Sequence, residues 1–134
     1  MGFNWAEYLE LAERLCKSND EASQRSAISR AYYSAFHAAN NRALANNYRR
    51  SEDGTTHQSL WSYYERNPNE ECQRIAIIGK RLLEKRVRAD YRDTYARIGE
   101  ELAEVLINAR RCATMIAALP PQFPEEPPPR VFSY

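Results

Sequence analysis

Residues able to handle protons or phosphates at neutral pH cluster at two places in this chain. Arg30 and His37 lie within RSAISRAYYSAFHAANNRAL, residues 25–44. Seven residues is almost two helical turns, so both project from one helix face roughly 10 Å apart along the axis. An arginine and a histidine aligned on one helix are either a structural lock or half of an active site, which needs a group to take a proton and a cation to stabilise developing negative charge. A histidine titrating near about 6.5 can do the first and an arginine the second. Arg30 and His37 are therefore candidate catalytic residues, brought to a shared cleft by two protomers. The competing reading is structural. A buried arginine needs a partner, and Asp90 is the attractive carboxylate. Arg30 would then reach across the molecule to Asp90, with His37 or Tyr91 completing the hydrogen bonds of the lock.

The second place is the run Lys80, Arg81, Lys85, Arg86, Arg88 and Arg92. It is the best electrostatic footprint for a phosphate backbone, set against the alternative of a solvated helix face that Glu84 partly neutralises. His57, close to the start of a short helix, should stay neutral at pH 7, with a packing role ranked above a catalytic one. Tyr32, Tyr33, Trp61, Tyr63 and Tyr64 offer faces on which bases could stack. Their helical spacing assigns most of them to packing.

Bulk properties narrow the field. The chain has 134 residues, one domain's worth. Nineteen basic side chains against eighteen acidic give a net charge of +1, so any nucleic-acid binding rests on a local patch. Cys16, Cys72 and Cys112 are distant from one another and fall on apolar helix faces, as expected of reduced thiols in the cytosol. No close Cys/His spacing suggests a metal site, and no Gly-rich loop suggests a nucleotide cofactor, so neither is expected. MGFNWAEY lacks the pattern of a signal peptide, and no apolar segment approaches the ~20 residues of a membrane span. A cytoplasmic protein without a membrane partner is the expectation.

Five helices must position these residues. Helix 1 starts after Asn4, with Glu7 placed for a capping box and Phe3 and Tyr8 for a hydrophobic staple. Ser18 and Glu21 signal the start of a long second helix reaching about Asn46. Its alanines and aromatics cover nearly every side, so neighbours should surround it. Thr55 opens a short helix with His57, Leu60, Trp61 and Tyr64 on one face. Asn67 and Pro68 mark the next start, and a fifth helix restarts near Asp93, burying Tyr95, Ile98, Leu102, Val105, Leu106, Ala109, Ala113 and Ile116. The expected architecture is an all-α, up-and-down bundle over residues 1–119, followed by a Pro-rich, extended or disordered tail over 120–134.

Two segments, AISRAYYSAFHAA at 27–39 and LLEKRVRADYRD at 82–93, resemble in order and spacing the small HEPN-domain proteins (higher eukaryotes and prokaryotes nucleotide-binding) of bacteria and archaea. The resemblance spans about residues 5 to 118. It implies a four- to five-helix bundle, usually a homodimer. Many members are metal-independent ribonucleases in toxin–antitoxin or phage-defence systems. Others bind or assemble without catalysis, often beside a minimal nucleotidyltransferase. The family's nuclease motif is an Arg, four to six residues and a His. Arg30 and His37 meet that spacing, with Ala31 in place of the usual polar neighbour. Arg86 occupies the usual position of the motif, but Val87 replaces the polar residue and Asp90 the His. An Asp among arginines makes a poor base. The resemblance therefore implies a binding or assembly role more than strong ribonuclease activity.

Overall fold

Ala27, Ala31, Ala35, Ala39 and Ala43 recur every fourth residue along one helix, and each is at most 1% exposed. Small side chains at that spacing let neighbouring helices approach closely, while Ile28, Tyr32 and Phe36 beside them fill the space between. The computed structural model, which describes residues 2–121, makes this helix the centre of a five-helix bundle. The elements are α1 (Ala6–Leu15), α2 (Glu21–Leu44), α3 (Thr56–Glu65), α4 (Glu70–Tyr91) and α5 (Ile98–Ala117). Helix α2 packs against all four others, as its apolar circumference predicted, whereas α1 touches α2 and α5 but neither α3 nor α4. No strand occurs among the described residues. The tail expected over 120–134 lies, beyond Pro121, outside them.

Trp61, Tyr32 and Tyr64 are the largest fully buried side chains. Their polar atoms are satisfied internally. Trp61 Nε1 donates to the Tyr32 hydroxyl at 3.1 Å, and the Tyr64 hydroxyl donates to the Ala39 carbonyl at 2.7 Å. Gly79 lies directly under the Trp61 indole and leaves no room for a Cβ, so α3 and α4 meet at that glycine.

Several boundaries differ from those read in the sequence. Asp20, not Ser18, caps α2: its carboxylate accepts from Ser23 N at 2.9 Å and from the Ser18 and Ser23 hydroxyls. An ionised carboxylate outcompetes a hydroxyl as acceptor, and these bonds hold Asp20 down at about 2. Asn69, not Asn67, caps α4 and accepts from Glu71 N at 2.8 Å; Asn67 instead closes the preceding turn by accepting from Asn69 N. Asn4 accepts from Ala6 N at 3.1 Å, and Phe3 meets Tyr8 as the staple requires, although the cap position falls at Trp5. Helix α5 begins at Ile98 rather than near Asp93, after Arg97 in the left-handed conformation, φ 59°. Tyr95 is buried all the same, in the connection ahead of the helix. The cause lies in α2, whose Arg25 donates to the carbonyls of Ala89, Arg92 and Asp93. Those bonds satisfy the end of α4 and hold the connection open. Arg42, near the other end of α2, does the same for α5 by donating to the carbonyls of Leu119, Pro120 and Pro121.

Candidate functional site

Because α1 meets neither α3 nor α4, one face of α2 becomes the floor of a trough. Arg30, Tyr33 and His37, at i, i+3 and i+7, are half-buried on that floor. One wall is α1 and its approach. The Arg30 guanidinium lies 4.9 Å from the Tyr8 ring centre, and His37 stacks flat on Trp5, with ring centres 3.5 Å apart and planes 10° apart. The other wall comes from α3 and α4. The Arg86 guanidinium lies 5.0 Å from the Tyr33 ring and 5.5 Å from Tyr91, and His57 packs 4.3 Å from Phe36. Residues from both sequence segments, 27–39 and 82–93, thus meet in one place.

The proposed lock is not formed. Asp90 pairs with Arg86, Oδ2 lying 2.8 Å from Nε, and accepts from the Ser29 hydroxyl at 3.2 Å. Arg30 makes no ion pair among the described residues; its neighbour is the face of Tyr8. The physical reason is local. Arg86 and Asp90 are one turn apart on α4, so the pair closes with little ordering cost, while Arg30 turns toward α1. Tyr91, the lock's third member, is 71% exposed and joins Arg86 instead. The Arg86 Nε–H is buried and is not aligned on the carboxylate oxygen, so the contact is an ion pair by distance without a hydrogen bond from that nitrogen.

Both histidines are biased toward the neutral form. Burial lowers His37, with Arg50 and then His57 adding repulsion, and burial followed by Arg86 lowers His57. Arg50 lies in the connection after α2, and nothing in the sequence links it to His37.

The six cations expected to form one phosphate patch are distributed around α4. Lys80, Arg88 and Arg92 face a groove against the start of α3. Lys85 turns to α5 and pairs with Glu101 at 2.6 Å, and Arg81 lies on that side too. Arg86 belongs to the trough. At about 100° per residue, a run this dense cannot stay on one face.

Of the cysteines, Cys72 and Cys112 are buried thiols that burial pushes up to about 12, which leaves them poor nucleophiles. Among the described residues no group of three or more His, Cys, Asp or Glu could hold a metal ion, and no helix is long and apolar enough to cross a membrane. Compared with known proteins, the chain matches no family model, no curated protein and no solved structure.

Proposed function

We propose that this chain is a HEPN-type bundle protein of an RNA-linked, toxin–antitoxin or phage-defence type system, and that it binds RNA along the α2 trough as a binding or assembly module. The observation that carries this reading is the pair of guanidiniums, Arg30 and Arg86, each held over a tyrosine face in one trough. Arginine pre-positioned on an aromatic ring presents its N–H groups edge-on to a phosphate, and the neighbouring rings offer stacking surfaces for bases. Among the described residues Arg30 has no carboxylate to give up first. A homodimer, or a nucleotidyltransferase-type partner, belongs to the same proposal. Two copies joined trough to trough would set like charges against each other, so RNA is the occupant this charge favours.

A second reading, a metal-independent endoribonuclease using Arg30 and His37, draws on the same geometry. Arg86 supplies a further cation, and a neutral imidazole is the form that accepts a proton. Against it, His37 lies flat on Trp5, an arrangement that favours packing over proton transfer.

Fluorescence anisotropy of labelled single-stranded RNA over a salt series tests the proposal. Arg30→Ala and Arg86→Ala should each weaken binding and reduce the salt slope by about one. Unchanged affinity in both variants would refute RNA binding at the trough. EDTA-resistant cleavage that disappears in His37→Ala would replace the binding reading with the enzymatic one.

A further inference from the structure

The hydrogen on His57 is assigned by a residue it does not touch. An indole nitrogen can only donate, and Trp61 Nε1 donates to the Tyr32 oxygen in the core. That oxygen lies 2.7 Å from His57 Nδ1. With the indole on its acceptor side, the Tyr32 hydroxyl has one acceptor in reach among the described residues, and that is Nδ1. The opposite arrangement, Nδ1–H donating to tyrosine, would leave a buried O–H with no acceptor, which folded proteins avoid. Burial also keeps Tyr32 protonated. His57 is therefore a neutral imidazole carrying its hydrogen on Nε2, a nitrogen with no partner among the described residues.

The same ring lines a groove of about 500 Å³ between the start of α3 and the second half of α4. Lys80, Arg88 and Arg92 face it, with Glu84 as the carboxylate among its lining residues. Arg88, which also lies 3.9 Å from Glu101, forms a surface pair with Glu84 at 2.8 Å, and Lys80 forms one with Glu65 at 2.6 Å. The side chains of those two surface pairs are 40–60% exposed, and such pairs exchange readily for a stronger anion. The Arg92 side chain forms no ion pair among the described residues. The Thr55 hydroxyl bonds the Asp53 carboxylate and the Ser59 hydroxyl and caps no backbone N–H at the start of α3.

We propose that this groove binds a phosphate monoester, with His57 acting as a neutral Nε2–H donor alongside Lys80, Arg88 and Arg92. Three cationic side chains and a neutral N–H donor line the groove, a donor set suited to the several oxygens of a phosphate monoester. The volume suits a mononucleotide. Both a free mononucleotide and the 5′-phosphate end of an RNA carry this chemistry. The site does not rest on the trough, and because the first probe is AMP, failure of the trough reading leaves the test intact.

Long-range ¹H–¹⁵N spectra of the full chain should place the His57 hydrogen on Nε2, and titration with AMP should move those signals saturably. Arg88→Ala and Arg92→Ala should each weaken AMP at least several-fold. Tyr32→Phe should mix the two tautomers of His57 and weaken AMP; the two arginine variants, which are on the surface, carry the test should that core variant fail to fold. Preference for 5′-phosphorylated over 5′-hydroxyl RNA identifies the RNA end as the source, and response to AMP without that preference identifies the free mononucleotide. An Nδ1–H tautomer, His57 signals unmoved by AMP, or AMP binding that survives both arginine variants would each overturn the proposal.

Discussion

Asp90 lies between Arg86 and the Ser29 hydroxyl, and with side chains 14% and 28% exposed the Arg86–Asp90 pair is largely withdrawn from water. Replacing it with Asn removes the charge facing Arg86, and leaving a largely buried polar group without its partner costs about 1–3 kcal/mol. Arg30→Ala removes a guanidinium from the face of Tyr8, worth about 0.5–1 kcal/mol at a partly exposed site. Double-mutant cycles in denaturant separate the two geometries. Arg86 and Asp90 should couple, while Arg30 and Asp90 should add to within about 0.5 kcal/mol. That the segment carrying Arg86 and Asp90 lies against the helix carrying Arg30 and His37 was legible in the sequence. Which cation Asp90 takes was not, because ion pairing depends on side-chain directions that only the packed helices set.

At the scale of elements, the contact between α3 and α4 is organised by one missing side chain. Gly79 lies under the Trp61 indole, and a Cβ there would lie 2.2 Å from a ring carbon, far inside contact distance. Trp61 cannot swing aside without breaking its bond to Tyr32. Alanine is the better helix former by about 1 kcal/mol, yet overpacking a filled core costs about 1–3 kcal/mol. Gly79→Ala should therefore lower the denaturation midpoint despite its helix propensity, and a stabilised variant would contradict the close approach described. Gly79 falls in helical register with Cys72, Ile75, Ala76 and Leu82 on the buried face of α4, a spacing visible in the sequence. The capping roles of Arg25 and Arg42 escaped notice, since each bonds carbonyls more than sixty residues away and leaves no periodic trace.

For the whole molecule, pH enters through the two histidines. Each is held below the ordinary value of 6.5, so the unfolded chain binds protons more readily than the folded one as pH falls through that value. Stability should be full above 6.5 and decline below it, toward the lowered folded-state values. Carboxylates held low in the fold, Asp20 and Asp53 at about 2, add their own loss only in more acidic solution. Urea midpoints at neutral and mildly acidic pH should differ in that direction, and His37→Gln with His57→Gln should flatten the dependence. A midpoint that rises on acidification would contradict the assignment of both histidines as neutral.

Periodicity and composition by themselves determined that this chain forms five helices, that the second is central, and that most of its aromatic side chains go to packing. Those outcomes follow from apolar spacing along single helices, which is local information. Tertiary structure decided the rest. It left the trough open by keeping α1 away from α3 and α4, gave Asp90 to Arg86, dispersed the basic run around α4, and put Tyr32 between an indole donor and an imidazole acceptor. Each of those depends on which helix faces meet and on the directions in which hydrogens point, and a linear pattern does not encode either.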